Sequence, residues 1–528
     1  MSNQYKSGVK TIAGMSALNA LIMLLSLFQA VVVARAFGTS RTYDAYLVAF
    51  ILPELLVFMA TELVNATLLP TFTEALRQQG KKSAWRLASS TINIITLSVI
   101  IILILLELLA PQLVRIMAPG FSAEETNLAA TLLRLLLPMM AISVIYKVVL
   151  TLHYSVESFL LPNFGGLLPP LVIAASVWFL SPGWGINALL LGVTLGVAAQ
   201  LLILIPLLVR QGGFSWRAGL SLSDSRMRSM GILAGILLLG AATERANLLI
   251  DRAVASTLAS GKISALKYGF QMAAYAQALF SIPLNKVYYT HISQAVAVKD
   301  WASVQERFSS GFRLLTIFYL PTAIGLSLLA LPLVRVLLER GSFTLLSSVW
   351  SAQALVVYSW SLIFLGIVSL ATSLLYALKK MGFFTAVGAS MMALNLLLDI
   401  LLIRWFDHLG IALATVIVNI VWSAVLLMVL GRLLKTRLLG IAELITLGKA
   451  LVASVLMAGF IWFLSPGGFH DYRHPGEINI LLLGGILVGA AVIYGLALTL
   501  LREKEILKLL DRIYRRIKRP KDPSLPSP

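Results

Sequence analysis

The chain has 528 residues, 59% of them hydrophobic and only 12% charged, with 42 Lys and Arg against 23 Asp and Glu for a formal net charge of +19. A soluble domain is about half apolar and roughly a quarter charged, so the composition excludes an ordinary soluble enzyme, a disordered chain and a fibrous one, and puts most of the chain in lipid. There is no Cys, which excludes disulfides, thiolate catalysis and Cys-ligated metals, and the 5 His are not expected to form a zinc site.

A spanning helix needs roughly 20 apolar residues. Lys6 and Lys10 precede an apolar run that reaches Phe37. That run is too long for a signal-peptide core, so it reads as a retained first membrane helix. Apolar runs separated by charged or Gly/Pro breaks then predict about fourteen helices. Their spans are 10–36, 43–72, 88–110, 126–152, 163–181, 186–210, 230–257, 263–293, 307–338, 349–378, 381–404, 409–433, 446–465 and 479–501. The expected fold is an all-α polytopic membrane protein. The third, fifth and fourteenth spans are almost purely apolar and are expected to face lipid. The second, seventh, eighth and eleventh carry ionisable groups and are expected not to.

Orientation follows from the Lys/Arg bias. Placing the N-terminus in the cytoplasm puts Arg77, Lys81, Lys82, Arg86, Arg210, Arg217, Arg226, Arg228, Lys379, Lys380, Arg432, Lys435 and Arg437 on the inner side, with both termini cytoplasmic. Basic residues at helix ends set topology, so the positive charge does not imply nucleic acid. Beyond residue 501, Ile506, Leu509, Leu510, Ile513 and Ile517 recur at helical spacing among basic residues. That pattern predicts a basic amphipathic tail, 502–528, on anionic lipid of the inner leaflet, with disorder from Asp522 onward. The gap from Ser465 to Ile478 is too short to fold alone, so no outer catalytic domain is expected.

Charged side chains in the hydrocarbon cost at least a few kcal/mol each and mark function by default. In the second span, Asp44, Glu54, Glu62 and Asn65 stand out; Glu54 and Asn65 nearly eclipse and Glu62 lies within about 80° of Glu54. This polar face either lines a cavity or makes inter-helix hydrogen bonds. In the seventh and eighth spans stand Glu244, Arg245, Asn247, Asp251, Arg252, Lys267, Gln271, Gln277, Asn285 and Lys286. Glu244 and Asp251 form one stripe and Arg245 and Arg252 the adjacent one. Internal salt bridges or a hydrated cavity for an anionic substrate both account for them. In the eleventh span, Asn395 and Asp399 share a face, with Thr415 on the next helix. With Asp251 these oxygens would suit Na⁺, or Asp399 is a buried acid satisfied by Asn and Thr.

The segments Ala34-Arg35-Ala36-Phe37-Gly38, Asp44-Ala45-Tyr46-Leu47-Val48-Ala49-Phe50, Leu52-Pro53-Glu54, Leu69-Pro70, Ala118-Pro119-Gly120-Phe121, Ile250-Asp251-Arg252, Leu258-Ala259-Ser260-Gly261 and Gly341-Ser342-Phe343-Thr344 stand out as sequence motifs. Together they resemble the MurJ/MviN family. Their order and spacing hold from about residue 8 to residue 500. The resemblance implies a member of the MOP exporter superfamily, with two six-helix lobes (1–215 and 216–440) around a cavity, two extra helices (441–501) and the tail. It implies alternating-access transport of a polyprenyl-pyrophosphate-linked glycan, lipid II or an exopolysaccharide repeat unit, across the bacterial inner membrane. It also implies a transporter rather than an enzyme, glycan-assembly enzymes as partners, and a Na⁺ site on Asp251, Asn395, Asp399 and Thr415.

The chain departs from the family pattern where arginines are expected to hold the pyrophosphate. Met23 and Gln29 fall in the first such segment, Val57 in the second helix and Gln271 in the eighth. Arg245, Arg252, Lys267 and Lys286 remain as phosphate partners. The rival readings are a drug/cation antiporter of the same superfamily and a non-transporting partner of a glycan-assembly complex.

Overall fold

The structure, a computed structural model, describes residues 2–158, 160–212, 219, 247–435, 438–464, 480–508 and 511. It is all-helical, with no strand among the described residues. In order come α1 (Ser2–Phe37), α2 (Arg41–Gln78), α3 (Lys81–Met117), α4 (Ala123–Ser155), α5 (Leu160–Gly165), α6 (Leu168–Trp184) and α7 (Asn187–Gly212). The described end of the next helix, α8, covers 247–255. Then follow α9 (Lys262–Ala297), α10 (Trp301–Leu338), α11 (Leu345–Ala377), α12 (Met381–Phe406), α13 (His408–Leu434), α14 (Ile441–Phe463) and α15 (Ile480–Leu500).

Twelve helices among the described residues are long and apolar enough to cross a membrane. They correspond to the predicted spans other than the seventh and eighth, so the chain is a multi-pass membrane protein. The predicted seventh span lies mostly outside the described residues. The eighth is the helix α9, whose polar residues keep it out of the twelve. The fifth span, expected as one helix, is broken into α5 and α6 at Gly166 and Leu167, just before Pro169 and Pro170. Several helices outrun their predicted spans. Helix α3 begins at Lys81 and ends at Met117 because its polar first turns are helical but carry no hydropathy signal.

Local chemistry sets the helix starts. Ser40 caps α2 by accepting the Tyr43 N–H at 3.3 Å. Ser122 and Glu125 form a reciprocal capping box at the start of α4. Arg41 of α2 then reaches Glu125 at 2.8 Å, so the two caps are tied together.

The chain forms two compact units. The first contains Met1–Ala265 and Leu338–Ser347. One core cluster joins Val64, Leu68 and Phe72 of α2 to Trp85 of α3, Leu152 of α4 and Leu204 and Leu208 of α7. Phe72 meets Trp85 edge-on, with ring centroids 5.0 Å apart. This unit runs past the expected boundary at residue 215. The reason is local: Gly120 donates its N–H to the Ser256 hydroxyl at 3.0 Å, and Asp44 holds Gly261 and Ser264. Leu338–Ser347 joins it through the turn after α1, where Ser342 donates its N–H to the Arg35 carbonyl at 2.8 Å. Helix α3 turns Ile101, Ile104, Leu105 and Leu108 outward, as a lipid-facing surface requires.

The second unit contains Leu266–Leu337 and Ser348–Pro528. The two C-terminal helices pack on α10: Met457 and Ile461 of α14 and Leu483, Ile486 and Ala490 of α15 form one core with Ile317 and Leu329. Tyr494 donates its hydroxyl to the Ile317 carbonyl at 2.7 Å. Helix α15 exposes Leu481, Val488, Val492 and Leu496.

Candidate functional site

In the first unit the polar residues of α2 divide into two groups. Asp44 is buried. Its carboxylate accepts the Gly261 N–H at 2.5 Å, the Ser264 N–H at 2.8 Å and the Ser264 hydroxyl. These are donors at the first turn of α9, so Asp44 caps that helix from another part of the chain. Arg252, half-buried at the described end of α8, is among the charges acting on the Asp44 carboxylate.

Farther along α2, Glu54, Glu62 and Asn65 are all exposed, though they lie within a membrane-spanning helix. Their spacing puts them in one stripe. Asn65 also accepts the Thr151 hydroxyl of α4 at 3.0 Å through its side-chain oxygen. The stripe is therefore partly engaged with α4 and otherwise open. A carboxylate facing only hydrocarbon would be costly, so this face meets water, headgroups or substrate.

Sequence reasoning missed Lys147 on the same side of the unit. It is one turn before Thr151 on α4, half-buried, with its ammonium 5.5 Å from the Tyr146 ring centroid. The signal was available as one Lys in an otherwise apolar stretch. It also missed His153, fully buried on α4, whose Nε2 lies 3.0 Å from the Leu204 carbonyl. That contact locks α4 to α7.

Of the seventh-span set, Asn247, Asp251 and Arg252 are half-buried. Glu244 and Arg245 lie outside the described residues, as does the side chain of Lys286. Lys267 and Gln271, on α9, belong to the second unit. The Lys267 ammonium lies over the Tyr268 ring, 4.8 Å from its centroid. Gln271 donates its amide N–H to the Tyr275 hydroxyl at 2.6 Å.

The second unit brings together two of the four residues proposed for a cation, Asn395 and Asp399. Asn395 and Asp399 are fully buried, and Asn395 donates its amide N–H to the Asp399 carboxylate at 2.9 Å. Helices α12 and α13 form a tight hairpin about Asp407, with no room for a Cβ at Gly410 against the Leu402 backbone. Counting back from that turn sets Thr415 level with Asp399. The Thr415 hydroxyl donates to the Ile411 carbonyl at 3.1 Å, which leaves its oxygen able to accept a cation. A buried carboxylate beside an amide is a pair of hard-oxygen donors, the type that suits Na⁺. Asp251 belongs to the first unit.

A second buried charge cluster escaped the sequence reading. Arg313 of α10 pairs with Glu443 of α14 at 2.7 Å and with Glu505 at 2.8 Å. Beside it, Lys449 reaches Glu503 at 3.3 Å and Thr446 donates its hydroxyl to Glu503 at 3.1 Å. Glu503 and Glu505 are buried, so the first residues of the expected tail are docked on α10 and α14. Of the rest of the tail, only Ile506–Lys508 and Asp511 lie among the described residues.

The comparisons with known proteins agree on one relationship. A family model for the lipid II flippase MurJ matches residues 33–473. A probable lipid II flippase MurJ of a Synechocystis species is 24% identical over 98% of this chain and 99% of its own length. A solved structure of a lipid II flippase MurJ in an inward closed conformation superposes with a TM-score of 0.78 at 21% identity, covering 93% of this chain and 99% of that one. The fold extends to an inward-facing multidrug resistance MATE family transporter of the MOP superfamily, with a TM-score of 0.64 at 14% identity, covering 78% of this chain and 93% of that one. The family match spans well over half of the sequence, and the chain belongs to the lipid II flippase MurJ family.

Proposed function

We propose that this protein is a flippase for a polyprenyl-pyrophosphate-linked glycan precursor in the bacterial inner membrane. A flippase changes the side of the membrane on which a lipid headgroup sits and leaves its covalent bonds intact, so the protein is a transporter and not an enzyme. The observation that carries this reading is the MurJ family match over residues 33–473. The open stripe of Glu54, Glu62 and Asn65 within a spanning helix supports it, because a polar headgroup needs such a face on its way through the bilayer.

The headgroup enters from the cytoplasmic side while the polyprenyl tail stays in lipid, and alternating access carries it across. Arg252, Lys267 and the undescribed Arg245 and Lys286 supply cations in place of the arginines absent at Met23, Gln29, Val57 and Gln271. Na⁺ is held by Asn395, Asp399 and Thr415. When bound, the ion neutralises the buried carboxylate and stabilises the form of the protein that holds it.

The substrate is lipid II or an exopolysaccharide repeat unit. Complementation separates them. In bacteria depleted of their own lipid II flippase, rescue by the membrane-expressed protein makes lipid II the substrate. Failure at verified expression assigns it to another lipid-linked glycan.

A further inference from the structure

Among the described residues of the first unit, Lys147 makes no ion pair with an acid. The contacts between α2 and α4 fix their register. Arg41 meets Glu125 across 84 residues and Asn65 meets Thr151 across 86. The offset is nearly constant over most of the length of both helices, so they run parallel as neighbours. At that offset, Lys147 stands level with Glu62. Both also share a face with the observed contact, since Lys147 is four residues before Thr151 and Glu62 three before Asn65.

These opposite charges are level but not closed on each other. Among the described residues neither Lys147 nor Glu62 forms an ion pair, and the one aromatic contact of Lys147 is Tyr146. Holding an unpaired lysine within a membrane-spanning helix is costly. A salt bridge would have offset this cost, and the fold does not make one. The open Glu62 beside it leaves access to the ammonium from the exposed side of α2.

We propose that Lys147 binds the phosphate of the transported lipid, with Glu62 accepting hydrogen bonds from the hydroxyls of the sugar next to it. This rests on the flippase reading above. A lysine is a compact donor to phosphate oxygens, and a carboxylate accepts from neutral hydroxyls. The pair reads the junction between pyrophosphate and sugar: cation for the charged part, acceptor for the uncharged part.

The test measures binding to the full-length protein in nanodiscs, with three probes: a polyprenyl-pyrophosphate-linked sugar, polyprenyl pyrophosphate alone, and inorganic pyrophosphate. Lys147→Met should weaken both lipids by about 10- to 100-fold, the loss of one charge-assisted hydrogen bond. Lys147→Arg should keep most of the affinity. Glu62→Gln should weaken the sugar-bearing lipid more than the bare one. Thermal melting of Lys147→Met should be unchanged or raised, because an uncompensated charge has been removed.

Wild-type affinity in Lys147→Met would overturn the proposal and leave the flippase reading standing. Lower melting of Lys147→Met with unaltered affinity would make the lysine structural and also overturn it. Equal, Lys147-dependent binding of inorganic pyrophosphate would assign the site to a free anion and overturn the lipid assignment. Failure of the wild type to bind either lipid would overturn the flippase reading and this site with it.

Discussion

Asp44 and Ser264 are joined twice: the backbone N–H and the hydroxyl of Ser264 both donate to the same carboxylate oxygen of Asp44. The other oxygen takes the Gly261 N–H at 2.5 Å. One buried acid near the start of α2 thus satisfies the orphan donors at the start of α9, more than two hundred residues later in the chain.

Asp44→Ala should therefore destabilise the protein strongly. It leaves two buried backbone donors without a carboxylate, at about 1–3 kcal/mol each. Ser264→Ala removes only the hydroxyl contact and should cost about 1 kcal/mol. Thermal melting in detergent should rank Asp44→Ala well below Ser264→Ala. Equal melting of the two variants would mean that the backbone contacts contribute nothing.

Arg313 makes a different prediction. It stands between two buried glutamates, Glu443 and Glu505, whose side chains are 6% and 8% exposed. Arg313→Met leaves Glu443 without its cation and Glu505 with only the exposed Lys508 at 3.8 Å, and should cost roughly 3–5 kcal/mol. Arg313→Lys keeps the charge but loses the two-pronged geometry, and should fall between. Limited proteolysis should also show the segment after α15 released in Arg313→Met and protected in the wild type.

Two glycines with positive φ offer a controlled pair. A Cβ on Gly38 would stand 2.1 Å from the Ser342 carbonyl oxygen, whereas one on Gly80 would meet nothing within 4 Å. Gly80→Ala should cost only backbone strain, about 1–3 kcal/mol. Gly38→Ala adds a backbone collision and should lower the melting temperature clearly further. Similar melting of both variants would show that the turn after α1 moves freely away from Ser342.

Na⁺ should raise the melting temperature of the wild type relative to an equal concentration of K⁺. Asp399→Asn and Asn395→Ala should each remove the difference. At a Na⁺ concentration 100 times its dissociation constant the stabilisation would be about 2.7 kcal/mol. Identical melting in the two salts would remove Na⁺ from the account.

Much of the fold was legible because hydrophobic runs of bilayer length are a one-dimensional signal. Twelve of the predicted spans recur as apolar helices. Their ends were not legible, since residues such as Lys81–Arg86 extend α3 without adding apolar character. The break between α5 and α6 was visible only as a Gly-Gly pair before two prolines. At the candidate site, the exposure of Glu54, Glu62 and Asn65 follows from their shared stripe. Asp44 sits in the same helix, yet its burial depends on Gly261 and Ser264, which no local pattern connects to it. Lys147 was overlooked for the opposite reason: its neighbours on α4 are apolar, and it gains meaning only once the α2–α4 register sets it level with Glu62. Arg313, Glu443 and Glu505 lie on three separate segments and become a cluster only in the folded chain.

Movement of a lipid-linked glycan across a bilayer is tested most directly in proteoliposomes. The reconstituted wild type should move a labelled polyprenyl-pyrophosphate-linked glycan, lipid II or an exopolysaccharide repeat unit, at least about tenfold faster than protein-free liposomes, and Glu62→Gln should lose most of that rate. Rates equal to those of empty liposomes for both lipids, with the protein folded and correctly inserted, would contradict the account.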